Sequence, residues 1–158
     1  MKTTDLCDQY VDQLQIAEPL FTNFGKKKQF SGPIATVKVK EDNVLVVDAL
    51  ETIPEGSLLV IDGEGSKACA LIGDRLAGIA VSRKLAGLIV HGCVRDTADI
   101  ATMDMGVLAL APMPKKSGKE GTGERNIPVS FAGVTWTPGH YAYVDEDGIV
   151  VSQKPLQL

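Results

Sequence analysis

No pair of cysteines in this chain stands at the spacing of a zinc knuckle or a redox dithiol. Cys7, Cys69 and Cys93 are the three present, and they lie far apart. That argues against a disulfide framework or a structural zinc site and reads as buried free thiols in a reducing compartment. An excess of positive charge is equally absent, since 16 Lys and Arg face 20 Asp and Glu for a formal net charge of −4. Binding a phosphate backbone takes a concentrated basic surface, so nucleic acid is not an expected partner. The basic runs Lys26-Lys27-Lys28 and Lys115-Lys116 read as solvated loop charge. No apolar run approaches the roughly 20 residues a membrane helix needs. The opening MKTTDLCDQYVDQL is too polar and acidic for a signal peptide. A cytoplasmic protein with no membrane contact is the expectation.

What is present suffices for a core. Of 158 residues, 44% are hydrophobic and 23% charged, a globular composition that fits one domain over residues 1–158. Leu6, Tyr10, Val11 and Leu14 fall at helical spacing, with Thr3 or Thr4 as N-cap. Ser31-Gly32-Pro33 is turn chemistry, followed by an alternating strand over Ile34–Val39. A second apolar run follows at Val44–Val47, and a buried strand at Ser57–Ile61 runs into Asp62-Gly63-Glu64-Gly65. Leu71, Ile72, Leu76, Ile79, Ala80 and Leu85 then lie mainly on one helical face, with Gly73-Asp74 as the helix entrance. Leu88–Val90 and Val107–Leu110 read as strands, and Thr97–Met103 as one or two helical turns. Pro112–Asn126 reads as a mobile loop and Ile127–Trp136 as a strand pair or one long bent strand. Asp145-Glu146-Asp147-Gly148 is the clearest hairpin turn. The sum is an α/β domain rich in strands.

Two glycine-rich places invite a chemical reading. Gly63-Glu64-Gly65 imitates a dinucleotide loop, but position 68 is Ala and no acidic residue ends a second strand at the right distance. A tight turn explains it better, which also counts against a nucleotide- or adenosylmethionine-dependent enzyme. The stretch GDRLAGIAVSRKLAGLIVHGCVRD says more. Gly73-Asp74 opens a helix whose first amides and positive dipole end suit an anion. Arg95-Asp96 lies just past the carboxyl end of a strand, where ligands gather in α/β folds. Arg95 offers a planar fork for a carboxylate. Asp96 offers a hard oxygen for magnesium, which is often held by one or two carboxylates and water. Against this stands a plainer reading, in which Arg95 and Asp96 make surface ion pairs and Asp74 caps a helix. His91 and His140 read as locally hydrogen-bonded histidines, and Cys93 as a packing thiol.

The order of elements, with PLFTNFGKKKQFSGPIATVKV, GDRLAGIAV, GLIVHGCVRD, NIPVSFAGVTWTPG and DEDGIVVS, resembles the RraA-like family over nearly the whole chain. That family holds regulators that inhibit ribonuclease E. It also holds metal-dependent class II aldolases that cleave 4-hydroxy-4-methyl-2-oxoglutarate and decarboxylate oxaloacetate. Its catalytic members carry an acidic residue, a twenty-residue spacer and Arg-Asp. Asp74, residues 75 to 94, Arg95 and Asp96 match.

The resemblance implies the swivelling β/β/α sandwich of that family and a ring-like homotrimer with sites near subunit interfaces. It implies Asp96 as ligand to a divalent cation, Mg2+ or Mn2+, and Arg95 as a substrate and catalytic group. The amides of Gly73, Asp74, Arg75 and Leu76 would receive a carboxylate of a small α-keto diacid. Asp74 would orient a water for proton transfer. The family's full aldolases add a C-terminal acidic residue to the neighbouring subunit's site. This sequence shows no such segment after the hairpin, which favours decarboxylation over aldol cleavage. The family also implies a regulator that binds ribonuclease E as the alternative. His140 stands where the family pattern has Asp after Pro-Gly, with no function attached.

Overall fold

The computed structural model describes residues 2–158. The chain opens with helix α1 (Thr3–Tyr10), a 3-10 turn and strands β1 (Leu14–Ile16) and β2 (Thr22–Asn23). Strand β3 (Phe30–Lys38) leads to α2 (Val44–Thr52), β4 (Leu58–Asp62) and β5 (Ala70–Ile72). Helix α3 (Asp74–Ser82) precedes β6 (Gly87–His91), β7 (Cys93–Val94) and the short α4 (Thr97–Ile100). Strands β8 (Gly106–Ala109), β9 (Ala111–Pro112) and β10 (Glu124–Arg125) come next. Two hairpins close the chain, β11 (Val129–Phe131) with β12 (Val134–Trp136), and β13 (Tyr141–Asp145) with β14 (Gly148–Ser152).

The main sheet runs β1-β14-β13-β3-β4-β6-β8-β2, with β10 also paired to β3. Its centre, β3-β4-β6-β8, is parallel. A parallel sheet has to be covered on both faces, and alternation along each strand divides its side chains between two cores. Val37, Leu59, Ile61, Leu88 and Val90 pack with Val46 and Leu50 of α2 and Leu76 and Ala80 of α3. Ile34, Leu58, Val60 and Ile89 pack on the other side with Phe131, Val134 and Trp136. The layers are therefore hairpin, sheet and helices, the β/β/α order that the family resemblance implies. Each fully buried Leu or Val here contributes about 1.5–3 kcal/mol. A smaller parallel sheet, β5-β7-β9, extends from the carboxyl ends of the main one. Among the described residues, no helix is long and apolar enough to cross a membrane.

Four local expectations need correction. Thr3 does not cap α1 but lies within it, and both its amide and its hydroxyl donate to the Asp145 carboxylate at 2.7 Å. Ser31-Gly32-Pro33 is not a turn but part of β3. Pro33 is tolerated there because pairing with β4 starts only at Ile34, leaving no donor required on that side. Leu71 and Ile72 belong to β5 rather than to the helix, which begins at Asp74. The segment after Pro112 is fastened at several points instead of lying free. The Lys115 carbonyl accepts from Ala70 N–H and Gly118 N–H donates to the Glu41 carbonyl, each at 2.8 Å. Buried Asp42 accepts the amides of Val44, Glu120 and Gly121. Burial alone would raise its carboxyl, but those amides and the Lys119 charge hold it below the usual value.

The apolar run at Val44–Val47 proves to be the first turn of α2. That helix ends at Thr52, where the Arg83 guanidinium reaches across to donate to the carbonyls of Leu50 and Ile53 at 2.7 and 2.8 Å.

Phe30 sets the entry of the parallel sheet. Gly87 of β6 and Gly106 of β8 are register partners, and the ring lies against both. A Cβ at Gly87 would stand 2.2 Å from the ring, and one at Gly106 only 2.0 Å away. Gly106→Ala is therefore expected to destabilise the protein by about 1–3 kcal/mol through overpacking. In thermal denaturation, Phe30→Leu in the same chain should recover part of that loss, because the two positions share one volume.

Candidate active site

The site forms where the two limbs of the GDR…VRD stretch meet. Strand β5 ends at Ile72, and Gly73 leads into α3 in an extended conformation (φ −121°, ψ −166°). The Arg95 amide donates to the Ile72 carbonyl at 2.9 Å, which sets the two limbs side by side. Asp96 follows in the left-handed region (φ 57°, ψ 40°), a conformation Asp tolerates better than most residues. There the Asp74 amide donates to Asp96 Oδ2 at 3.0 Å. A carboxylate from a different part of the chain thus caps the first amide of α3.

Gly73 is required by proximity rather than by its φ. A Cβ there would stand 2.7 Å from Asp96 Oδ2 and 3.4 Å from Arg95 Cγ. Arg95 is half-buried, and its Nη1 reaches the Pro114 carbonyl only at a long 3.5 Å. Among the described residues, the ion pairs within 4.0 Å are those of Asp62 with Lys38 and with His91. The surface ion pairs of the plainer reading are therefore not formed by Arg95 or Asp96, and the guanidinium keeps its charge for an anion. Asp74 does not cap with its side chain either. Of the four amides named from the resemblance, that of Asp74 is occupied by Asp96. Those of Arg75 and Leu76 belong to the first turn, where no i−4 carbonyl exists.

Asp96 is exposed, and the Asp74 backbone amide, aided by the Asp74 side chain and the Arg95 charge, holds its carboxyl below the usual value. The Asp74 amide donates to its Oδ2. A hard, ionised oxygen facing solvent fits a cation that keeps most of its own water, as Mg2+ does and Mn2+ can. Among the described residues, no three His, Cys, Asp or Glu side chains gather into a cage. The donor set thus fits a magnesium-like ion and not a zinc-like one.

The remaining candidates sort cleanly. Cys93 is 1% exposed and burial pushes its thiol up, as a packing residue requires. His140 lies in the turn before β13, with Nδ1 buried and unpartnered. Gly63-Glu64-Gly65 is a tight turn, with the amides of Gly63 and Gly65 both on the His91 carbonyl at 3.1 Å. A Cβ at Gly65 would meet the His91 ring at 3.3 Å, so no room is left there for a pyrophosphate. Sequence reading missed the pairing of His91 with buried Asp62, Nδ1 to Oδ1 at 3.4 Å. Only strand register reveals it, because the two are 29 positions apart. A cavity of about 650 Å³ between α1, β1 and the β13–β14 turn includes none of Asp74, Arg95 and Asp96. It is mostly apolar, and we place the site on chemistry rather than on volume.

The bond to Asp96 can be read by titration. A carboxyl-carbon NMR titration should give Asp96 a midpoint below 3.8, the ordinary value for its carboxyl. Gly73→Ala should move that midpoint upward, because the new methyl pushes Oδ2 away from the Asp74 amide. Since the folded value is the depressed one, this bond adds stability above the unfolded midpoint and loses it as pH falls through the folded one.

The family model described as "RraA-like: Aldolase/RraA" matches residues 3–151. A Bacillus cereus relative named "Putative 4-hydroxy-4-methyl-2-oxoglutarate aldolase" is 57% identical, covering 98% of both chains. A Geobacillus kaustophilus crystal structure, titled as an S-adenosylmethionine: 2-dimethylmenaquinone methyltransferase, is 58% identical with a TM-score of 0.97. It covers 99% of this chain and 97% of its own. The Thermus structure titled as the RNA-processing inhibitor RraA is 41% identical with a TM-score of 0.96, covering 99% of this chain and 95% of its own. Fold and whole-length similarity agree, and the chain belongs to the RraA-like family.

Proposed function

We propose that this chain is a divalent-metal-dependent carbon–carbon lyase. Its substrates would be 4-hydroxy-4-methyl-2-oxoglutarate, by aldol cleavage, and oxaloacetate, by decarboxylation. The observation that carries this reading is the Asp74 amide on Asp96 Oδ2, which holds an ionised carboxylate beside an Arg95 with no carboxylate partner. The relatives named as aldolases support the same reading.

Both reactions break the bond beyond C3 of an α-keto acid and leave a pyruvate enolate. The substrate carboxylate meets the free amides of Arg75 and Leu76 at the positive end of α3. Arg95 faces the keto oxygen and offsets the negative charge that gathers there as the bond breaks. In the aldol reaction, the exposed Asp74 carboxylate accepts the proton of the C4 hydroxyl and a second pyruvate leaves. In decarboxylation CO2 leaves, and the enolate takes a proton at C3 from the same side of the site. A cation held by Asp96 supplies Lewis-acid stabilisation of the enolate oxygen. No methyl donor is built into this scheme, and the tight Gly63–Gly65 turn gives adenosylmethionine no cradle.

Loss of oxaloacetate, measured with magnesium and with EDTA, tests the proposal. Activity should depend on magnesium, and Asp96→Asn should bring it near background. Arg95→Ala should cost about 2–4 kcal/mol in kcat/KM, the size of a lost transition-state contact. A wild type equally active in EDTA would sink the metal mechanism. The second reading is a regulator that binds ribonuclease E, supported by the Thermus neighbour's title. On that reading magnesium-dependent decarboxylation is absent and Asp96→Asn leaves ribonuclease binding intact.

We also propose a homotrimer with the site near a subunit interface. Light scattering should then give about three times the 16.8 kDa chain mass, and a monomer at micromolar concentration would refute it.

A further inference from the structure

The carboxyl ends of β3, β4 and β6 carry a row of polar side chains that the Arg95–Asp96 site does not use. Lys38 is in register with Asp62, and Asp62 with His91, so the three share one face of the sheet. Glu124 of β10 stands opposite Lys38 and extends the row. This is the face beneath the β11–β12 hairpin, away from α2 and α3.

Asp62 is 2% exposed and serves three donors. Its Oδ2 lies 3.3 Å from Lys38 Nζ. Its Oδ1 accepts the Glu64 amide at 2.9 Å and lies 3.4 Å from His91 Nδ1. The His91 ring is stacked on Phe131, with centroids 4.6 Å apart and planes 5° apart.

The row stands at the root of both limbs of the site. The His91 carbonyl anchors the Gly63 and Gly65 amides, and four residues further along the same strand path stands Arg95. The same turn bears on the other limb, since a Cβ at Gly63 would stand 2.6 Å from Leu71 Cδ1. Leu71 lies in β5, which delivers Gly73 and Asp74. A shift of the Asp62–Gly65 turn therefore bears on both halves.

We propose that His91 is a positioning residue with a proton-dependent setting. Protonation of its imidazole draws Asp62 Oδ1 toward Nδ1 and away from the Glu64 amide, re-seating the Asp62–Gly65 turn and the Arg95–Asp96 segment with it. Imidazole is the side chain whose charge ordinarily changes between about pH 5 and 8. A charge-assisted N–H to carboxylate bond settles near ~2.7–2.9 Å, so the present 3.4 Å contact has room to close. Asp62 of β4 is the charged group in contact with the ring, Lys38 of β3 and Glu124 of β10 follow it along the row, Glu64 lies in the turn, and Phe131 of β11 covers the ring. The kinetic consequence rests on the lyase reading of the site, whereas the structural coupling does not.

NMR on the full chain between about pH 5 and 8.5, above the range of the Asp96 carboxyl, tests the coupling. The His91 ring protons and the amides of Gly65, Arg95 and Asp96 should shift together with one midpoint. In His91→Gln the Arg95 and Asp96 amides should stay flat, while His140→Gln should leave the transition in place. Asp62→Asn should let His91 titrate without moving those amides, which keeps the test open if one variant folds poorly. Where lyase activity is present, the pH profile of kcat/KM should lose the limb at the same midpoint in His91→Gln. Arg95 and Asp96 amides that stay flat in the wild type, or that still titrate in His91→Gln, would overturn the proposal. A wild type without lyase activity refutes the proposed function and leaves the NMR result to decide this one.

Discussion

Burial of β3, β4 and β6 on both faces is the constraint from which the rest of the molecule follows. A parallel sheet cannot leave one face to water as an antiparallel one can, so helices cover one side and a hairpin the other. Buried positions along these strands are thereby committed to apolar packing until each strand reaches its carboxyl end, apart from Thr36, whose hydroxyl donates to the Ile127 carbonyl. Only there do Lys38, Asp62 and His91 appear, in one row across three strands. The chemistry of the site begins where the same path continues past His91 into β7. Charged side chains are thus confined to one edge of the sheet, because burying an unpaired charge in the interior is costly.

The bond from the Asp74 amide to Asp96 serves structure and chemistry together. As a cap it satisfies one of the first amides of α3, which would otherwise lack a partner. As electrostatics it keeps Asp96 ionised without using its second oxygen. A side chain at position 73 would separate the limbs, so the glycine is fixed by the width of the site rather than by a backbone angle. The plainer view of Asp74 as a cap and Asp96 as a surface charge had the direction of capping reversed. The side chain that caps comes from the far limb, where nothing in local sequence points to α3.

Sequence read the fold well wherever a period or a turn signal was local. The Asp145–Gly148 hairpin, the strands at Leu58 and Leu88 and the helix entrance at Gly73-Asp74 all stand as expected, since each rests on neighbours within a few residues. Misreadings occurred where a partner elsewhere decided the outcome. Ser31-Gly32-Pro33 has turn composition but is held extended by β13 on one side, with no demand from β4 until Ile34. The Pro112–Asn126 segment has loop composition but is tied down by Asp42, Glu41 and Ala70. The Asp62–His91 pair was invisible for the same reason, because sequence gives strand identity but not register. Of the candidate site, Asp74, Arg95 and Asp96 were singled out through the family resemblance, while the unpaired state of Arg95 had no signal in the sequence.

Relatives similar over nearly their whole length carry names as different as an aldolase, a methyltransferase and an inhibitor of RNA processing. Superposition therefore cannot choose among them, and the choice falls to what the side chains are able to do. A methyltransferase needs a cradle for its cofactor, and at the Gly63–Gly65 turn the His91 ring lies against Gly65. The proposed lyase would use an ionised, exposed carboxylate and a guanidinium left without an acid, whereas an inhibitor acting only by contact would not. At Asp96 the contact that fixes the carboxylate is the Asp74 amide on Oδ2, which leaves the side chain exposed and next in sequence to Arg95.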